Sequence, residues 1–348
     1  MNKAAARAAR LHYVIEGEPG LSRTRRGGTF VHRDSKGRIV RDARTLDRIR
    51  SLVIPPAWTD VWICATPDGH LQATGRDARG RKQHRYHPAW TSARTDSKYD
   101  RMVEFGLSLP AIRQRVQADL RKPALSREHV LATVVTLLEK TLIRIGNKEY
   151  ARANNSFGLT TLLDQHVQIK GSAMTFHFRA KSGIMQTVAI DDAPLARIVK
   201  KCRQVPGKTL FQYLDANGKP QCVDSGAVNA YLREITGQPF TAKNFRTWAA
   251  SVMASVAVCE LPVVASDSAF KRNIVGAIDA VASKLGNTRS VCRKCYIHPG
   301  VFEAYRRGIT IAKIPPAPRR AHFSAEEAAV LALLKQRVRH GKPARVAA

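Results

Sequence analysis

Acidic side chains are scarce in this 348-residue chain. Only 27 Asp and Glu stand against 58 Lys and Arg, a formal net charge of +31. A bias of that size makes a functionless solvated coat a poor explanation. It points to a polyanionic partner, nucleic acid first and an anionic membrane surface second. Long apolar runs are also missing. The longest apolar-rich stretch, near Ala249 to Cys259, stops at Glu260, short of the ~18 residues that a membrane span needs. The alanine-rich N-terminus carries Arg7 and Arg10 but lacks the apolar core and cleavage pattern of a signal peptide. The expected location is therefore the cytoplasm. Cysteines are few and scattered, at 64, 202, 222, 259, 292 and 295, which argues against a compact disulfide framework and for reduced thiols. Cys292, Cys295 and His298 could offer three zinc ligands, but no second CxxC or HxxxH lies nearby, and no metal site is expected. There is no Walker loop, GxGxxG fingerprint, internal repeat or obvious carboxylate cluster for two-metal catalysis. No cofactor is expected.

The length suits about two domains, and 44% hydrophobic residues provide for a real core. The expected class is α+β. Residues 1–90 read as a small β-rich domain, 91–314 as a larger and mainly helical one, and 315–348 as a basic extension with a helix. In the first part, Thr29 to Val31 and Arg38 to Val40 flank Asp34 to Gly37, and Val61 to Thr66 and His70 to Thr74 flank Pro67 to Gly69. Both patterns signal hairpins. Asp42 to Leu52 suits a short helix. Pro88 to Ser97 reads as a linker, followed by helices at Tyr99 to Phe105 and Leu109 to Leu120. Ser126 can cap a stronger helix that runs to Leu142. Thr175 to Arg179 and Gln186 to Ile190 suit a hairpin with Lys181 at its turn. Helices are expected at Ala193 to Cys202, Ser225 to Ile235, Ala242 to Cys259 (capped by Thr241), Ala265 to Leu285 (capped by Asp267, stopped by Gly286) and Phe323 to Arg339. Pro315 to Arg320 reads as a linker.

Two stretches carry chemistry. GRDARGRKQHRYHP, Gly75 to Pro88, holds five cations against one Asp, interleaved with Gln83, His84 and Tyr86. Cations bind phosphates, while amide and aromatic side chains can reach bases or sugars. LGNTRSVCRKCYIHP, Leu285 to Pro299, sets Tyr296 among Arg289, Arg293 and Lys294. A phenol with a pKa near 10 is a poor nucleophile at neutral pH, and nearby cations favour its phenolate and neutralise a phosphate target. The plainer alternative is an amphipathic anchor, ring inward and hydroxyl to water. Arg144, near the end of a helix, and Lys181, on a turn, each have ordinary structural explanations when taken alone.

Taken in order, Arg144, Lys181, Arg246, Asn287 and Tyr296 resemble the constellation of type IB DNA topoisomerases, of the compact poxvirus-like bacterial branch. The resemblance spans nearly the whole chain. It rests on GRDARGRKQHRYHP, IRIGNKEY with NNSFGLTTL, FRAKSG, KNFRTW and LGNTRSVCRKCYIHP. It implies a small N-terminal domain and a helical catalytic domain that clamp duplex DNA, preferably supercoiled. It makes Tyr296 the nucleophile of a 3′-phosphotyrosyl intermediate, Arg144 and Arg246 the grip on the scissile phosphate, and Lys181 the general acid toward the 5′ oxygen. Asn287 stands where the viral enzymes carry histidine; it can donate a hydrogen bond but cannot ionise. Gln83, His84, Tyr86, Tyr150 and Lys243 match DNA-contacting segments. The implied enzyme is a monomer associated with the nucleoid that relaxes DNA by strand rotation, without ATP or an obligatory metal. A tyrosine recombinase would use a similar set, but usually carries His-x-x-Arg where this chain has Lys243-x-x-Arg246, and its N-terminal half would be helical. A non-catalytic basic DNA-binding protein would explain the charge but not the ordered set.

Overall fold

Two hairpin signals near the N-terminus are joined by a strand that local patterning hides. In the computed structural model, which describes residues 2–15, 17–262, 266–315 and 321–339, the chain divides into two units, Met1–Asp100 and Arg101–Ala348. The first begins with α1 (Asn2–Ala8), β1 (Gly20–Arg26), β2 (Thr29–Arg33), α2 (Ala43–Ser51), β3 (Thr59–Cys64), β4 (Leu71–Arg76) and β5 (Lys82–Tyr86). The strands form one antiparallel sheet in the order β2-β1-β3-β4-β5. The expected partner of Thr29 to Val31 is only partly correct. Arg38 to Val40 makes a single bridge, Arg33 to Ile39, while the full ladder of β2 runs along β1. GLSRTRR has few apolar residues to mark β1 as a strand. Asp42 caps α2 by accepting from the Thr45 amide at 2.8 Å, and Ile49 joins Leu21, Val61, Ile63 and Ala73 in the core beneath the sheet.

The expected linker at Pro88 to Ser97 is instead the start of one continuous helix, α3 (Pro88–Asp119). His87 opens it: its carbonyl accepts from Thr91 and its Nδ1 from the Ala89 amide. Pro88 then occupies the first turn, where a missing N–H costs nothing. Pro110 lies within the helix without ending it.

The second unit holds α4 (Arg127–Thr141), α5 (Lys148–Asn154), β6 (Val167–Lys170), β7 (Ala173–Arg179), β8 (Met185–Asp191), α6 (Ala193–Cys202), β9 (Gln212–Leu214), β10 (Pro220–Cys222), α7 (Ser225–Thr236), α8 (Ala242–Cys259), α9 (Asp267–Leu285), α10 (Arg289–Cys295), α11 (Pro299–Arg306) and α12 (Ala325–Arg339). α4, α6, α7, α8 and α9 match the expected spans closely because their caps are written in side chains, whereas the short helices α5, α10 and α11 were not expected. Ser126 caps α4, Asp192 caps α6 and Asp224 caps α7. α9 is capped by Ser266 rather than Asp267, which lies inside its first turn. α12 starts two residues later than expected, where Ser324 and Glu327 cap each other's amides. The expected 315–320 linker falls, apart from Pro315, outside the described residues.

β6, β7 and β8 make a three-stranded antiparallel sheet, with Lys181–Gly183 as a short turn between β7 and β8. α8 and α9 pack together with α10 and α11 around Ala250, Ala254, Ile278, Val281, Leu285 and Tyr305. Among the described residues no helix is long and apolar enough to cross a membrane.

Candidate active site

Tyr296 sits at the C-terminal cap of α10, its amide donating to the Cys292 carbonyl at 3.0 Å. Thr288 starts this short helix by accepting from the Val291 amide. The ring is only 8% exposed and belongs to the apolar cluster of α8 and α9. The anchor alternative supplied no reason for an arginine beneath the ring. Here the Arg246 guanidinium carbon lies 5.2 Å from the ring centroid.

Arg246 projects from the first turns of α8, whose start is fixed by the Thr241 amide donating to Asn244 Oδ1 at 2.9 Å. It is 3% exposed. Its Nη1 donates to the Leu142 carbonyl and its Nη2 to the Leu285 carbonyl, the latter at 2.9 Å. These carbonyls close α4 and α9, where helices leave acceptors without intrahelical partners. Nε remains buried with no acceptor. A guanidinium is therefore fixed in place with a donor still to be used.

Arg144 follows the left-handed cap residue Leu142 and reaches Asn287, donating through Nη2 to Oδ1. A guanidinium only donates, so this contact fixes the amide orientation. Asn287 Nδ2 is then left buried without an acceptor. Two unpartnered donors, Arg246 Nε and Asn287 Nδ2, thus lie in the same small group as Tyr296. Buried donors are costly to leave unmet, and a phosphate oxygen would meet them.

The electrostatics follow the geometry. Burial by itself pushes the Tyr296 phenol up. Arg246, then Arg144 and Lys243, act against it and win, so the net shift is below the ordinary tyrosine range. Arg246 is shifted down by burial first and by Arg144 second, but an arginine keeps its proton.

Lys181 does not join this packed group. It is exposed at the tip of the β7–β8 hairpin, beside Ser182 with φ 68°. The hairpin itself approaches the site: a Cβ added at Gly286 would lie 3.5 Å from the Gln186 amide nitrogen of β8. Lys243 is exposed on the first turn of α8, close enough to act on Tyr296. Tyr150 is half-buried on α5, its amide donating to the capping Asn147. In the first unit, His84 and Tyr86 are exposed and stacked, with ring centroids 5.8 Å apart and planes within 6°. Gln83 points to the other face of β5 and donates to Asp77 at 2.8 Å, so its amide nitrogen is committed within its own unit. Among the described residues no group of three or more His, Cys, Asp or Glu could hold a metal ion.

Two positioning features escaped the sequence. Ser251, fully buried on α8, accepts from the His298 amide at 2.9 Å and donates to the Thr247 carbonyl at 3.0 Å, with the Tyr296 carbonyl 3.5 Å from its oxygen. A serine amid an apolar helix run gives no sign of that partner. The second feature explains why IRIG and NNSFGLTTL occur together. Leu159 donates to the Arg144 carbonyl at 2.8 Å, and Thr160 to the Ile145 carbonyl at 2.7 Å. A Cβ at Gly158 would come within 2.5 Å of the Arg144 carbonyl oxygen and 2.6 Å of the Gly146 nitrogen. Gly158→Ala must therefore push the Arg144 backbone away. The expected result is a loss of about 1–3 kcal/mol of stability, as for overpacking, read as a lower midpoint in thermal melts.

Known families match this chain along most of its length. The family described as "Eukaryotic DNA topoisomerase I, catalytic core" matches residues 87–315, and "Bacterial DNA topoisomerase IB, N-terminal domain" matches residues 29–77. The chain is 29% identical to a "DNA topoisomerase 1B" of Acanthamoeba polyphaga mimivirus over 294 residues, 82% of this chain and 88% of that protein. It is 22% identical over 236 residues to the "DNA topoisomerase 1B" of Vaccinia virus (strain Copenhagen) and to the "DNA topoisomerase I" of Monkeypox virus, 66% of this chain and 70% of each relative.

Proposed function

Because this chain belongs to the type IB DNA topoisomerase family, we propose that it relaxes supercoiled duplex DNA through Tyr296, as a monomer and without ATP. The observation that carries the residue assignment is the packed group of Tyr296, Arg246, Arg144 and Asn287, with two buried donors unpartnered.

The Tyr296 hydroxyl loses its proton to water and its oxygen attacks the scissile phosphorus. The bond from phosphorus to the 5′ oxygen breaks as the bond to tyrosine forms. Lys181, carried on the exposed hairpin, gives its proton to the departing 5′ oxygen. The product is a 3′-phosphotyrosyl link and a free 5′-hydroxyl strand. Arg246, Arg144 and Asn287 donate to the phosphate oxygens where charge gathers in the transition state, already oriented before the substrate arrives. One phosphodiester is exchanged for another, so the strand can rotate and religate by the reverse steps without an energy source. His84, Tyr86, Tyr150 and Lys243 contact the duplex, with both units engaging the DNA.

Relaxation of supercoiled plasmid in EDTA without ATP tests the reaction. Stepwise relaxation, with a denaturant-stable adduct on the peptide containing Tyr296, is the expected result. No relaxation by the folded protein would return the chain to a recombinase or a DNA-binding protein. A second measurement tests the poised phenol. The tyrosinate absorbance titration of wild type minus Tyr296→Phe should have its midpoint below the ordinary value of about 10. Lys243→Ala should move that midpoint upward, since removing a cation disfavours the phenolate.

A further inference from the structure

α12 lies beyond residues 87–315, the span of the catalytic-core match, and it is docked through a charged contact. Glu327 on α12 is 8% exposed. Its Oε1 accepts from Trp248 Nε1 at 2.9 Å. Arg113 of α3 donates to both of its oxygens, at 2.7 and 2.8 Å, and holds Glu139 of α4 with the same guanidinium. Leu331 and Leu334 bury the apolar side of α12. The Trp248 ring, 3% exposed, packs so tightly on α3 that a Cβ at Gly106 would lie 2.6 Å from it, and Phe323 lies 6.2 Å away between ring centroids.

Trp248 follows Arg246 by two residues on α8. At about 100° per residue, their side chains leave the helix roughly 200° apart. α8 is therefore gripped from opposite sides, by Arg246 on the carbonyls of α4 and α9 and by Trp248 on Glu327. A guanidinium reaches roughly 7 Å from the helix axis, so a turn of about 10° would move it by about 1 Å, enough to cost on the order of a hundredfold in rate.

We propose that α12 is a brace for catalysis: Glu327, acting through Trp248, sets the rotation of α8 and so the place of Arg246. Glu327 and Trp248 are positioning residues, and their role rests on the assignment of Arg246 to the scissile phosphate. Trp248→Phe removes the indole N–H together with part of the tightly packed ring, whereas Glu327→Ala removes the acceptor and leaves the ring in place, and Glu327→Gln keeps an oxygen for the indole. Single-turnover cleavage is read in the full chain with enzyme saturating, well below each variant's melting midpoint. Duplex binding is read by anisotropy in a Tyr296→Phe background. Trp248→Phe and Glu327→Ala are expected to cleave about tenfold more slowly with affinity within about twofold, and Glu327→Gln to stay closer to wild type. In an Arg246→Lys background, Glu327→Ala should cost nothing further, because both act through one side chain.

Unchanged cleavage in Trp248→Phe and Glu327→Ala overturns the brace. So does a loss that disappears on cooling, a loss matched by weaker binding, or an equal loss in the Arg246→Lys background. Wild-type cleavage by Arg246→Lys would remove the site assignment itself. A slow Arg246→Lys beside a fast Glu327→Ala would remove the brace alone.

Discussion

Tyr296→Phe is expected to bind duplex DNA as wild type does and to relax none of it. The ring fills a site bounded by α8, α9 and α10, and phenylalanine fills the same space. The variant should therefore fold, and its melting midpoint should stay near that of the wild type. Only the attacking oxygen is lost. Without it the arginines can still hold the phosphate, but no covalent link can form. Gel shift, adduct trapping and plasmid relaxation on one preparation separate these outcomes. Residual relaxation would move the nucleophile to another residue, whereas loss of binding as well would mean that the hydroxyl helps to hold the site together.

Arg246→Ala should produce the other large effect, and it should act in two ways. It removes the donor proposed for the phosphate, a loss on the order of 10²–10³ in rate for preorganised sites. It also strips the Leu142 and Leu285 carbonyls, which close α4 and α9, of their shared partner. Each buried acceptor left unmet costs about 1–3 kcal/mol. Cleavage should fall by two to three orders of magnitude, together with a clear drop in melting midpoint. Arg246→Lys keeps the charge, but its three N–H donors radiate from one nitrogen and cannot reproduce the planar fork whose separate nitrogens reach the Leu142 and Leu285 carbonyls and a phosphate. Its cleavage should fall by about tenfold. If the alanine variant melts lower yet cleaves at full speed, Arg246 is a structural cap and no more.

The longer helices of the second unit were legible because their boundaries are local, while the short α5, α10 and α11 were not. Ser126, Asp192, Asp224 and Gly286 announce helix ends through side chain or backbone chemistry that acts within a few residues. The Lys181 hairpin was legible for the same reason. The β-rich unit was less so: β1 is polar along most of its length and finds its partners at long range, through Leu21 and the ladder to β3. Pro88 misled because proline suits a linker and a first helical turn equally, and only the His87 cap decides between them. Within the site, residue identities could be read from the motifs, but the contacts that set their geometry could not. Ser251 under Tyr296, Gly158 against Arg144 and Glu327 behind Trp248 join segments 14 to 79 residues apart.

The outer strand of the N-terminal sheet has a consequence for handling the protein. β5 ends the strand order, and its sequence is KQHRY. An open strand edge offers a free row of peptide groups to any other chain, and cations along it are a common means of keeping two copies apart. Lys82 and Arg85 are exposed there. Neutralising this strand to weaken DNA contact would thus also unmask an adhesive edge. Variants designed that way should be checked for clumping before any loss of activity is credited to the DNA.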